Sequence, residues 1–189
     1  MIEKHWKVIP AITLLLVFGS ILINCSTGKQ SVETRTVAAG GGTTSGGAGT
    51  QAGNSAPDFQ LAKMDGGPIS LADLRGKPAV IVFWTAWCPV CKEEAPRINT
   101  LVAKYEGKGV RVLGINVKDS VARTEGGIKE HGIRYAVARD TDGSVARAYK
   151  VLGTPTIIFM DRKGVVRYVA NELPNDYARW LDDLLAENI

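Results

Sequence analysis

Cysteine and histidine are scarce, three and two residues among 189. A closed structural zinc site needs about four ligands. Beyond the first fifty residues the chain supplies only Cys88, Cys91 and His131, with no second C-x-x-C, so no metal is expected. His131, near the end of a helix-like stretch, reads as a surface or capping residue. No strong concentration of one charge exists either. The formal net charge is +4 and its residues are scattered without a basic stripe, which argues against nucleic acid as a partner. No internal repeat occurs. No apolar run reaches the roughly 20 residues of a membrane-spanning helix; the longest, Val8 to Ile23, is sixteen residues. What remains, 45% hydrophobic and 22% charged, is a globular composition with room for one domain plus extensions.

Lys4 and Lys7 precede the apolar run. A basic start and an uncharged core of this length form the pattern of an export signal, which puts the rest of the chain outside the cytoplasm. The run ends in Leu22-Ile23-Asn24-Cys25, a junction that resembles the lipobox of bacterial lipoproteins. That resemblance implies lipidation of Cys25 after cleavage, although Asn24 stands where the pattern has Gly, Ala or Ser. An uncleaved anchor helix and a cleaved soluble form are the other two readings. Residues 1–25 are therefore a targeting element. Residues 26–55 contain AAGGGTTSGGAGTQAGNS, with almost nothing apolar to bury. Such a segment cannot offset its ordering entropy and is expected to be a flexible linker with a reach of roughly 30 Å.

Periodicity begins at Ala56, and residues 56–189 read as the folded domain. APDFQLAKMDGGPIS gives two short strands around Asp65-Gly66-Gly67, and Ser70 to Leu74 one helical turn. AVIVFW is a continuous apolar run, typical of a strand buried on both faces. Lys92 to Tyr105 carries Ile98, Leu101, Val102 and Tyr105 at helical spacing, with Pro96 expected to kink it. Val110 to Val117 is the next buried strand, completing a βαβ unit. Val121 to His131 and Ser144 to Tyr149 read as helices flanking an extended piece near Tyr135 to Ala138. Thr156–Met160 and Val165–Val169 form strands around Asp161-Arg162-Lys163-Gly164, and a helix bearing Tyr177, Trp180, Leu181, Leu184 and Leu185 closes the chain. The class is α/β, a central mixed sheet flanked by helices.

The two cysteines lie in WTAWCPVCK, between the buried strand and the first long helix. Backbone N–H groups lack partners there. With Cys88 at the N-cap, its sulfur can accept from the N–H of Val90 or Cys91. Pro89 then falls at the first helical position, where its missing donor costs nothing. The helix terminus stabilises a thiolate. Cys88 is expected to be the attacking thiol and Cys91, one turn on and less exposed, the resolving one. A Cys88–Cys91 bond closes almost no loop and would be a poor staple. Trp84, ending the strand, is expected in the core; Trp87, beside Cys88, is expected to be partly exposed as a contact surface.

Together with the later Gly153-Thr154-Pro155-Thr156, these residues resemble the thioredoxin superfamily, and more narrowly its membrane-tethered TlpA/ResA-type thiol–disulfide oxidoreductases. The resemblance covers about Ala56 to Glu187. It implies a thioredoxin-like fold with an N-terminal hairpin and a central strand–helix insertion, here Lys118 to Tyr149. It also implies a cis Pro155 packed beside the cysteines and a Thr154 backbone able to pair with an extended substrate segment. Trp87 and Pro89 would complete that substrate contact. Glu94 matches an acidic residue that modulates the thiols in ResA-like members; the plainer reading is a glutamate complementing the helix N-terminus. Glu93 reads as solvated. Val82 occupies the place of thioredoxin's buried aspartate, so that proton relay is absent.

The function implied is an extracytoplasmic reductase of protein disulfides, apocytochrome c among the candidates. It would work as a membrane-tethered monomer re-reduced by a membrane thiol donor, with no cofactor besides its own Cys88–Cys91 disulfide. Two alternatives stand beside it. A peroxiredoxin-like peroxidase would use Thr85 three residues before Cys88, but Ile81 stands where that motif has proline. A copper metallochaperone resembles C-x-x-x-C with a distant histidine, and the spacing here is one residue short.

Overall fold

The computed structural model describes residues 50–187. Cys25, the export segment and most of the linker lie outside those residues. Seven strands form one sheet in the order β2-β1-β5-β4-β3-β6-β7: β1 Gln60–Lys63, β2 Pro68–Ser70, β3 Ala79–Trp84, β4 Arg111–Val117, β5 Ala136–Asp140, β6 Thr156–Met160 and β7 Val166–Ala170. β3, β4 and β5 run parallel, as right-sized crossovers through helices require; β6, β7, β1 and β2 are added antiparallel at the two sides. The helices are α1 Leu71–Leu74, α2 Pro89–Tyr105, α3 Val121–His131, α4 Ser144–Ala148 and α5 Tyr177–Ala186.

β3 sits mid-sheet and every one of its residues is buried. Its side chains alternate, as the strand period demands. Ala79, Ile81 and Phe83 enter a core with Phe59, Leu71, Leu113 and Tyr149. Val80 and Val82 enter the opposite core, with Ile98, Leu101, Tyr105, Ile157, Phe159 and the α5 residues Leu181 and Leu184. β3 is thereby held from both faces, and its end is a fixed platform for the cysteines.

α2 turns Cys91, Glu94, Ala95, Ile98, Leu101, Val102 and Tyr105 inward. The helix continues past Pro96 to Tyr105. α3 is capped by Ser120, whose Oγ accepts from the Arg123 N–H, and stops at Gly132, which takes φ 65°. Its buried stripe, Thr124, Gly127 and His131, is narrow and mostly small, so the helix lies close on the end of β3.

The extended piece near Tyr135 is a full strand, β5, shifted to Ala136–Asp140 and paired on both edges. The last strand begins at Val166, one residue later than its hydrophobic pattern indicates. The Gly53 N–H donates to Val166 O at 2.8 Å, the Val166 N–H to Asn54 O at 2.9 Å, and Ser55 bridges Val165. Residues 53–55 thus pair with the β7 edge, which they can do because backbone pairing needs no apolar side chains. Among the described residues, no helix is long and apolar enough to cross a membrane.

Candidate active site

β3 delivers Trp84 to the top of the sheet, and Thr85-Ala86-Trp87 turn the chain into α2. Cys88 is the N-cap, with extended backbone (φ −86°, ψ 111°), and its Sγ accepts from the Cys91 N–H at 3.2 Å. Pro89 occupies the first helical position. Cys88 and Cys91 form a disulfide with Cα atoms 5.2 Å apart. The expected difference in exposure between them is absent: each is 4% exposed. Both are flanked by Trp84 and Val137, so the bonded pair is sunk into the surface.

Cys88 faces the loop before β6. The Thr154–Pro155 peptide is cis, and Cys88 Sγ lies 3.2 Å from Thr154 O. In the disulfide this sulfur has no proton to donate; after reduction the thiol can give one to the same carbonyl. The Thr85 and Thr154 hydroxyls lie 3.3 Å apart and join the two loops a second time. Asn171, at the end of β7, donates from Nδ2 to Pro155 O at 3.0 Å. Neither contact is visible in sequence, since each spans distant strands.

Trp87 is 69% exposed and Trp84 only 1%. Val90 and Leu152, two residues from Cys88 and Thr154 in sequence, are exposed as well. A cavity of about 300 Å³ adjoins Cys88, lined by Trp87, Pro89, Lys92, Glu130 and His131. His131 is the clearest correction. It is buried against the Trp84 ring, centroids 5.5 Å apart, and its Nδ1 has no hydrogen-bond partner among the described residues. It is not a surface cap, because Gly132 makes the helix stop and leaves His131 to fill space under the loop. Burial holds its pKa below the ordinary value.

Glu94 is buried as well, on the same face of α2 as Cys91. Oε1 accepts from Arg97 Nη1 at 2.7 Å and Oε2 from the Leu173 N–H at 3.2 Å. Arg97 continues to Leu173 O and Asn175 Oδ1 at 2.7 and 3.0 Å. The cluster ties α2 to the segment leading into α5. Asp119, not singled out by sequence, sits beneath the active-site loop and accepts from the Ala86 N–H at 2.7 Å. The N-V-K-D spacing after a buried strand was the available signal, but it is too short to distinguish from a loop.

The sheet and the redox pair at the end of its central strand define a thioredoxin-fold protein. More particularly, the chain belongs to the AhpC/TSA family, whose model matches residues 52–169. It is 32% identical over 114 residues to the thiol-disulfide oxidoreductase ResA of Bacillus thuringiensis subsp. konkukian. That match takes in 60% of this chain and 66% of the relative, just under two thirds of the relative's length. A crystal structure of a thiol:disulfide interchange protein of the thioredoxin family from Chlorobium tepidum superposes with TM-score 0.61 at 29% identity, over 70% of this chain and 96% of that one. A secreted Mycobacterium tuberculosis disulfide oxidoreductase gives 0.56 at 27%, over 68% and 96%.

Proposed function

We propose that the chain is an extracytoplasmic thiol–disulfide oxidoreductase that reduces disulfides in other proteins. The observation that carries this reading is the Cys88–Cys91 pair, bonded at the α2 N-terminus with its outer sulfur against Thr154. The names of ResA and of the interchange protein support the reaction class. The secreted Mycobacterium relative and the basic-then-apolar N-terminus support the compartment.

In the dithiol form, the Cys88 thiolate gains from the Cys91 N–H and the helix terminus. It attacks one sulfur of a substrate disulfide. A Cys88–substrate bond forms, the substrate disulfide breaks, and one substrate sulfur leaves as a thiolate that takes up a proton. Cys91 then loses its proton and attacks Cys88 Sγ. The second substrate sulfur leaves with that proton, and Cys88–Cys91 is closed again. Two electrons have passed from this chain to the substrate. A membrane thiol donor must return them, because an oxidising compartment holds no thiol pool to do so. Trp87, Pro89, Thr154 and Pro155 form the surface against which the substrate lies. Cys25 anchors the domain through lipid, and the linker gives it reach; apocytochrome c is one candidate among its protein-disulfide substrates.

The test is reduction of a protein disulfide by the purified dithiol form, followed by free-thiol counting. One disulfide should be reduced per Cys88–Cys91 pair oxidised, and none by Cys88→Ser. Consumption of hydrogen peroxide with a sulfenate at Cys88, and no action on protein disulfides, would establish the peroxidase alternative instead. Incorporation of labelled fatty acid that disappears in Cys25→Ser checks the anchor.

A further inference from the structure

Beneath the active-site loop lies a buried polar group that the exchange steps do not use. Asp119 is buried between β4 and α3; its Oδ2 accepts both the Ala86 N–H at 2.7 Å and Asn116 Nδ2 at 3.0 Å. The Thr124 hydroxyl lies 2.9 Å from both Asn116 Oδ1 and Ser120 O, either of which can take its single proton. Gly127 completes the fit, since a Cβ there would stand 2.7 Å from the Ala86 Cβ. The segment that carries Cys88 is therefore seated on a carboxylate.

Ala86 is two residues from Cys88, which puts the carboxylate on the order of 10 Å from Sγ. A unit charge at that range, in the effective dielectric of a protein, shifts a thiol's ionisation about tenfold. Little nearby positive charge offsets it. Arg123 Nη1 is 4.0 Å from Oδ1 and its side chain is 67% exposed. Lys92 is paired with Glu130 at 2.9 Å, and His131 on the same helix is kept neutral by burial. Val82 leaves no carboxylate inside β3 to play a comparable part.

We propose that Asp119 is a positioning residue for the Cys88 thiol: it fixes the Ala86–Cys88 segment, and its buried charge opposes the Cys88 thiolate. A destabilised thiolate makes the dithiol a stronger reductant, the reverse of the strong oxidants whose reduced form is stabilised. The consequence for catalysis rests on the exchange reading above, but the ionisation itself can be measured without any substrate.

The experiment uses the reduced full-length chain and reads alkylation of the Cys88 peptide by mass spectrometry as a function of pH, with the glutathione equilibrium measured alongside. Asp119→Asn keeps an acceptor for the Ala86 N–H and removes the charge. Its Cys88 titration midpoint should fall by about one pH unit, and its equilibrium with glutathione, read at a pH above both midpoints, should move about tenfold toward the dithiol, or about 30 mV. Arg123→Ala, on the surface, uncovers the carboxylate and should move the midpoint upward by a smaller amount. Thr124→Val loosens the seat without touching the charge and should lower Tm while leaving the midpoint in place. An unmoved midpoint in both charge variants, or a shift in Thr124→Val as large as in Asp119→Asn, would overturn the proposal. If Asp119→Asn does not fold, Arg123→Ala still decides. Failure of the wild type to reduce any protein disulfide would instead sink the exchange reading and leave the titration result standing.

Discussion

Cys88 Sγ and Thr154 O meet at 3.2 Å across a separation of 66 residues. The contact brings the nucleophile against the loop where an incoming chain would have to lie. Cys91 is equally buried, and of the two it is the Cys88 sulfur that stands at this loop. The order of events follows from this arrangement: the substrate bonds to Cys88 first, and only Cys91 is placed to release it. Cys91→Ser should therefore accumulate disulfide-linked adducts through Cys88, visible as high-mass bands on a non-reducing gel and removed by dithiothreitol. Cys88→Ser should give none. Adducts through Cys91 in the Cys88→Ser protein would reverse the assignment of the two roles.

Two adjacent glycines in α3 should answer oppositely to alanine. Gly126 has nothing within 4 Å of an added Cβ, so Gly126→Ala should gain up to about 1 kcal/mol of helix propensity. At Gly127 the added atom would meet Ala86 Cα at 2.9 Å and the Trp84 ring at 2.9 Å. Overpacking of this kind costs about 1–3 kcal/mol, which exceeds the propensity gain, so Gly127→Ala should be net destabilising. It should also slow disulfide exchange, since what it displaces is the segment leading to Cys88. Urea denaturation of the two variants side by side, with exchange rates, separates these effects.

The elements that position the cysteines were legible because each is written locally. AVIVFW has no charge to expose, so a fully buried strand was its only comfortable place. Ser120 and Gly132 bracket α3 at the residues its pattern indicates. Cys88 followed by Pro89 carries its own N-cap signature. What escaped was tertiary. A short loop aspartate says nothing about which N–H it will accept, and Asp119 found its partner 33 residues away. His131 reads in sequence as a surface or capping residue, yet the close approach allowed by Gly127 draws that end of α3 under Trp84. Glu94 has a legible spacing from Cys91, but its partners Arg97 and Leu173 are not legible from spacing.

That arrangement sets what Glu94 should do when changed. Its side chain is about one-tenth exposed and it accepts a charge-assisted bond from a half-exposed Arg97 as well as a backbone N–H. Hydrogen bonds to charged groups contribute about 1.5–3 kcal/mol. Glu94→Ala should cost an amount in that range, and Glu94→Gln less, because the amide can still accept from Leu173. The Cys88 alkylation profile should move less in Glu94→Gln than in Asp119→Asn. A larger movement would place Glu94, and not Asp119, as the main modulator of the thiols.

His131 should make stability fall in mild acid. Its folded pKa is lowered from the ordinary 6.5, first by burial, with Glu130, the Ala86 carbonyl and Asp119 pulling it back up and Lys92 adding to the depression. Below pH 6.5 the unfolded chain takes up a proton that the folded chain refuses, so protons favour unfolding. The loss starts as pH drops through 6.5 and continues down to the folded pKa; above 6.5 this residue contributes no pH dependence. Phenylalanine keeps a ring against Trp84 and cannot be protonated. The free energy of unfolding, measured in urea at pH 7.5 and pH 5.5, should therefore fall more for the wild type than for His131→Phe. Equal losses in the two proteins would mean that the imidazole is readily protonated in the folded state, and that Glu130 and Asp119 outweigh its burial.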